Sequence, residues 1–275
     1  FEVLHWVQDT HSPRILTAMS PILDVRTLIL VITIVLVCRA LIMGYIWSIS
    51  RYFPPVKQWM VGSALVAVGA MLLTLRGSAP EVLTVLLAQT CLIFGWLVIA
   101  AGTLKAAEQP VPLKWGLLIA GSSVAGCIWY WFVTPNLAIR TLLVSTPPIL
   151  FDIYVALACL KYKGAYRKTT LRILSATLLL MAAANVVKTH YTFSVDLKDM
   201  FVANWAILQF YLVAMMHSVV VTVLHVLLSV HYLQEQLDKE LTQRRQHEET
   251  LKIAAMFFQN SSEGMITTDA DGTIT

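Results

Sequence analysis

Long apolar stretches alternate with short polar breaks along most of the chain, and this alternation predicts seven membrane-length helices. A helix needs about 20 largely apolar residues to cross the hydrocarbon core. The segments that meet this length run from Val25 to Ser50, Trp59 to Leu75, Val82 to Leu104, Lys114 to Val133, Ile139 to Leu160, Leu171 to Val187 and Phe201 to His231. The breaks carry turn chemistry, as in Arg51-Tyr52-Phe53-Pro54-Pro55, Arg76-Gly77-Ser78-Ala79-Pro80, Glu108-Gln109-Pro110-Val111-Pro112 and Thr134-Pro135-Asn136. Pro147-Pro148 lies inside the fifth segment and predicts a bend there, because proline removes backbone donors. Runs such as Leu28 to Cys38 and Val219 to Leu224 are continuous, not alternating with a period of two, which argues against outer-membrane barrel strands.

Composition agrees with a helical membrane protein. Hydrophobic residues make up 57% and charged residues 13%, about half the charged share usual in soluble domains, and mean hydropathy is +0.71. The net charge of +4 does not point to nucleic acid, because the basic residues sit in short loops and act as topology signals. With the N-terminus outside, the inner loops hold Arg51, Lys57, Lys105 and Lys114, then the cluster Lys161, Lys163, Arg167, Lys168 and Arg172. The outer side holds Arg14, Arg26, Arg76, Arg140, Lys188 and Lys198, so the inner side is the more basic and the C-terminus falls in the cytoplasm. Trp47, Trp59 and Trp115 are expected as anchors at inner ends, and Trp129, Trp131 and Trp205 at outer ends. The stretch from Phe1 to Ser20 is charged, lacks an apolar core and does not read as a signal peptide. Cys38, Cys91, Cys127 and Cys159 lie in separate spans, imply neither disulfide nor zinc, and are read as buried packing residues.

Ionisable residues within the spans are the candidate site, because each costs about 2.5–3.5 kcal/mol near the centre of an inserted helix. Arg39, Asp152 and His217 fall at similar depth, which predicts a polar ligand-sensing site with Arg39 and Asp152 paired. The competing reading is a purely structural tie between helices. His217, His225 and His231 share the seventh span, and the spacing of His217 and His231 makes haem ligation a minor alternative, with no second histidine-bearing span to complete it. No cofactor is assigned. Gln89, Asn185, Asn204 and Gln209 are expected to join helices by hydrogen bonds, and the small residues around Gly62, Gly69 and Gly121 to Gly126 to form close-packing faces. No nucleophile–base pair or phosphate-binding loop is present in the sequence, so no catalytic residue is assigned.

After His231 the chain becomes a polar helical segment. With Val230, Leu237, Arg244, Leu251 and Phe258 at heptad position a, position d is filled by Leu233, Glu240, His247 and Ala254. A seam apolar at both ends and polar in the middle suits a parallel homodimer linker with two available packings, while a solvated spacer helix is the simpler alternative.

The stretch Leu251 to Ile274 resembles the opening of a PAS domain. A helix carrying Phe258-Gln259-Asn260-Ser261-Ser262-Glu263-Gly264 leads into an expected strand at Ile266 to Thr268 and an Asp269-Ala270-Asp271-Gly272 turn. The linker wording from Gln246 to Phe258 is similar to that of bacterial cyclic-di-GMP proteins with GGDEF and EAL domains. Asp24 to Leu28, Lys57-Gln58-Trp59 and Leu75-Arg76-Gly77 through Pro80 resemble their seven-helix regions. The resemblance implies an all-α seven-transmembrane helix bundle followed by a cytoplasmic signalling helix and a PAS start. The corresponding divisions are 1–20 extracytoplasmic, 21–231 sensory bundle, 232–255 linker and 256–275 PAS. It further implies a sensor in the bacterial inner membrane with a diguanylate cyclase or phosphodiesterase output and a homodimer formed through bundle and linker. The outer loops are too short for a separate ligand-binding domain, which leaves a small lipophilic ligand, a quinone or the state of the membrane as the stimulus. No GGDEF or EAL motif occurs in these residues. A histidine kinase output and a transporter or channel-like module are the alternatives.

Overall fold

A computed structural model of the chain describes residues 25–49, 53–194 and 205–260. The described residues form an all-α structure without strands, in which seven helices have the length and apolar composition to cross a membrane. We number them α1 (Val25–Ile49), α2 (Pro54–Thr74), α3 (Val82–Ala106), α4 (Leu113–Phe132), α5 (Leu137–Leu160), α6 (Lys168–Ser194) and α7 (Trp205–Asn260). The expected N-terminal segment and the PAS strand and turn lie outside the described residues.

The helix ends differ from the sequence expectation for local reasons. Pro54 and Pro55 do not end a break but open α2, since proline at the first helical positions gives up a donor that has no partner there anyway. Asn136 caps α5, its Oδ1 accepting from the Ile139 amide at 3.0 Å. α5 stays helical through Pro147 and Pro148. The first six residues of α3, Val82–Leu87, form a wider π-helical turn that the apolar pattern does not announce. Arg167, expected as a loop charge, is buried: it donates to the Ala106 carbonyl at 2.7 Å and pairs with Glu108, tying the end of α3 to the start of α6.

The chain divides into two units, Phe1–Val230 and His231–Thr275. In the first unit each helix is apolar on both its inward and its outward face. On α1, Leu28, Leu36 and Met43 are buried while Leu30, Ile34, Val37 and Leu41 are exposed, as expected where the surroundings are lipid. α2 and α3 approach closely, and glycine makes this possible. A Cβ on Gly62 would stand 2.8 Å from the Gly95 carbonyl oxygen, and one on Gly95 would stand 2.9 Å from that of Gly62. Small residues thus act here as the sequence predicts. The stretch Gly121 to Gly126 divides: a Cβ on Gly126 would stand 2.8 Å from the Leu143 side chain, whereas one on Gly121 would meet nothing within 4 Å.

The second unit is the continuation of α7, helical to Asn260. Its polar surface carries Glu235–Lys239 and Glu240–Arg244 ion pairs one turn apart, at 2.8 and 2.9 Å.

Gly95→Val is expected to force α2 and α3 apart and to cost about 1–3 kcal/mol, the usual range for overpacking. Gly121→Val, at an open position, should leave stability near that of the parent. Thermal unfolding of both purified variants in the same detergent checks this, and equal melting temperatures would contradict the packing account.

Candidate functional site

Arg39 lies on the buried face of α1 in phase with Leu36 and Met43 and is only 2% exposed. Its Nη2 donates to His225 Nδ1 on α7 at 3.1 Å. A guanidinium can only donate, so Nδ1 is the acceptor and the ring proton of a neutral His225 lies on Nε2. That nitrogen faces Thr103 Oγ1 on α3 at 3.4 Å. Thr103 Oγ1 also accepts from Trp59 Nε1 on α2 at 3.2 Å and donates to the Ile99 carbonyl at 3.0 Å. The His225 ring stacks on the Trp59 indole with centroids 3.8 Å apart and planes inclined by 9°. Four helices therefore meet in one hydrogen-bonded centre in which donors and acceptors alternate consistently.

This centre rests on the close packing of α2 and α3. Gly102, one residue before Thr103, lies against Trp59, and a Cβ there would come within 2.9 Å of the indole. Trp59 was expected as an interfacial anchor, yet it is fully buried because its N–H finds an acceptor inside the bundle. Trp115 and Trp129 are exposed, the condition an anchor needs.

Beside the centre, and wholly within the first unit, lies a cavity of about 220 Å³. Arg39 and His217 line it, together with residues of α2, α3, α5 and α6. His217 is 7% exposed, at most one of its ring nitrogens has a partner, the Thr177 backbone on α6, and its ring centroid lies 6.2 Å from that of Trp96. Arg39, Gln89, Arg140 and Ser145 also line the cavity, and each has a buried side-chain atom without a hydrogen-bond partner: Nε, Oε1, Nε and Oγ respectively. In native proteins roughly 90% or more of buried backbone polar groups, and most buried side-chain ones, are paired, so five residues with orphaned atoms around one cavity mark it as the candidate site.

Of the three residues expected to form the site, the structure brings Arg39 and His217 to the same cavity and leaves Asp152 out of its lining. Asp152 is buried on α5 with Oδ2 unpartnered, and among the described residues no ion pair joins it to Arg39. Matching depth set the residues at one level but said nothing of which helices adjoin, and Arg39 meets α7 instead. His225, treated as a minor haem ligand, has both ring nitrogens directed at protein partners. His231 begins the second unit.

Other expectations also shift. Arg140 and Lys188 were taken as loop charges; Arg140 is buried over the Trp131 ring, Lys188 lies over the Phe210 ring, and both line the cavity. Asn185 bonds within its own helix, donating to the Met181 carbonyl and accepting from Lys188 Nζ, not across helices. Gln209 is exposed and Asn204 lies outside the described residues. Cys127 and Cys159 are buried as expected, whereas Cys38 is exposed. Sequence reasoning missed Thr103 altogether and gave Trp59 no part in the site, for neither residue type is unusual in a membrane span.

No protein-family model, curated protein or solved structure matches the chain. Fold and site together define an all-α membrane protein whose seven-helix bundle encloses a polar centre and an adjoining cavity.

His225→Leu is expected to leave Arg39 Nη2 without its acceptor and to cost about 1–3 kcal/mol or somewhat more, since the group left unsatisfied is charged. Thermal unfolding in detergent should show a clear drop in melting temperature, and an unchanged value would mean that the centre does not hold the helices together.

Proposed function

We propose that this chain is the membrane-embedded sensory part of a signalling protein of the bacterial inner membrane, with its N-terminus outside and its C-terminus in the cytoplasm. The observation that carries this reading is the continuity of α7, one uninterrupted helix of 56 residues from Trp205 to Asn260. It supplies His217 to the cavity and His225 to the polar centre. A stimulus that changes the occupancy of the cavity acts on α7 directly, and helix shifts of about 1–2 Å are a common means of passing such a change onward.

The reading extends to a parallel homodimer. Leu233, Leu237 and Leu241 recur every fourth residue with polar residues between them, and Leu251 follows further on beside Ile253, Met256 and Phe257, all exposed. A second copy of the helix would cover such a seam, and polar residues between its apolar ends would let it shift between packings. The PAS-like wording from Leu251 onward and the similarity to GGDEF and EAL proteins make cyclic-di-GMP synthesis or breakdown the proposed output.

Cysteines at Leu233 and at Leu251 are expected to crosslink symmetrically in native membranes. Absence of both crosslinks in folded protein would reduce the helix to a spacer. A reporter fused at Lys163 should register a cytoplasmic location, and an extracytoplasmic signal would reverse the orientation.

A further inference from the structure

Cations at the two ends of the bundle are disposed differently. At the end where α5 begins, Arg140 is buried over the Trp131 ring and Lys188 lies over the Phe210 ring. At the end that holds the α3–α4 and α5–α6 connections, Lys105, Lys114, Lys161, Lys163, Lys168 and Arg172 are all exposed. Among the described residues none of these six has an ion-pair partner.

Arg167 ties the two connections together. It donates to the Ala106 carbonyl, pairs with Glu108 and lies over the Tyr162 ring, 5.0 Å from the centroid. Tyr162 is itself buried, and its hydroxyl fills the space that a side chain at Gly164 would need. The exposed cations are thus carried on a fixed platform. Glu108 is the only acidic residue in either connection, and Arg167 already neutralises it. Several like charges on one surface, with no acid left free among them, raise a positive potential that attracts anions.

The neighbours of these cations say what kind of anion fits. Lys161 follows the exposed Leu160, Lys114 stands between the exposed Leu113 and Trp115, and Arg172 adjoins the exposed Ile173. An apolar side chain next to a charge, at the end of a membrane-length helix, belongs at the boundary where hydrocarbon gives way to phosphate groups. A small soluble anion would meet the charges and leave the apolar neighbours bare. A phospholipid of net negative charge meets both.

We infer that this end of the bundle binds anionic phospholipid, with phosphate groups on Lys161, Lys163, Lys168 and Arg172, Lys105 and Lys114 across the Arg167 tie, and acyl chains along the apolar neighbours. Binding of this kind requires only that the spans lie in a bilayer, and it is independent of the sensory role and of the orientation of the chain.

The test places the purified full chain in nanodiscs of equal parts phosphatidylglycerol and phosphatidylcholine and counts the lipids that stay bound by native mass spectrometry. Phosphatidylglycerol is expected to be retained about fivefold or more over phosphatidylcholine. Lys161→Gln, Lys163→Gln, Lys168→Gln and Arg172→Gln together should lower that ratio about threefold or more, with the melting temperature in neutral detergent at the parent value because none of the four has an ion pair to lose. Arg245→Gln with Lys252→Gln, on the second unit, should leave the ratio unchanged, which separates a local surface from net charge. If the fourfold variant fails to fold, Lys161→Gln with Lys163→Gln is measured in its place and should still lower the ratio about twofold. Equal retention of the two lipids by the parent, an undiminished ratio in the folded variant, or as large a drop in the Arg245 and Lys252 control would each overturn the inference.

Discussion

Hydrocarbon offers no water to a guanidinium, and the arrangement of the bundle around Arg39 follows from that. A charge buried this deeply persists only where protein groups replace its hydration. His225 does so on one side, and its own second nitrogen then needs a partner, which Thr103 provides. Thr103 in turn accepts from Trp59, whose ring can lie against α3 only because residue 102 has no side chain. One arginine thus propagates requirements through α7, α3 and α2, and each is met by a different residue type.

The same guanidinium has a second side. Nη2 is committed to His225, while Nε is buried without a partner and the residue lines the cavity together with His217. Arg39 therefore belongs both to a satisfied structural centre and to an unsatisfied site. A group that occupied the cavity would alter the electrostatics felt by Arg39 and, through it, by His225 on the helix that continues to Asn260. Buried networks in low dielectric respond strongly to such changes, because neither partner can turn to water instead.

What was legible in the chain was whatever depends on position along a helix. Length and composition mark seven spans because hydrocarbon thickness sets a minimum run of apolar residues, and all seven are present with ends shifted by a few residues. Arg39 and His217 stand out because charge and imidazole are rare at that depth, and they do share a cavity. Depth is readable since each residue adds a fixed rise of about 1.5 Å.

Neighbourhood was not legible. In a soluble helix one polar face shows which side is outside, but these spans are apolar on the side facing protein and on the side facing lipid alike, so the rotation of each helix about its axis leaves no trace in the pattern. The sequence alone therefore determined the number of spans, their order and the level of each polar residue. Only tertiary structure decided that Arg39 meets His225 instead of Asp152, that Trp59 lies inside and not at the interface, and that Arg140 and Lys188 turn from loop charges into cavity wall. Those outcomes depend on which helices adjoin and how closely, and glycine contacts such as Gly62 with Gly95 set that closeness across residues more than thirty positions apart.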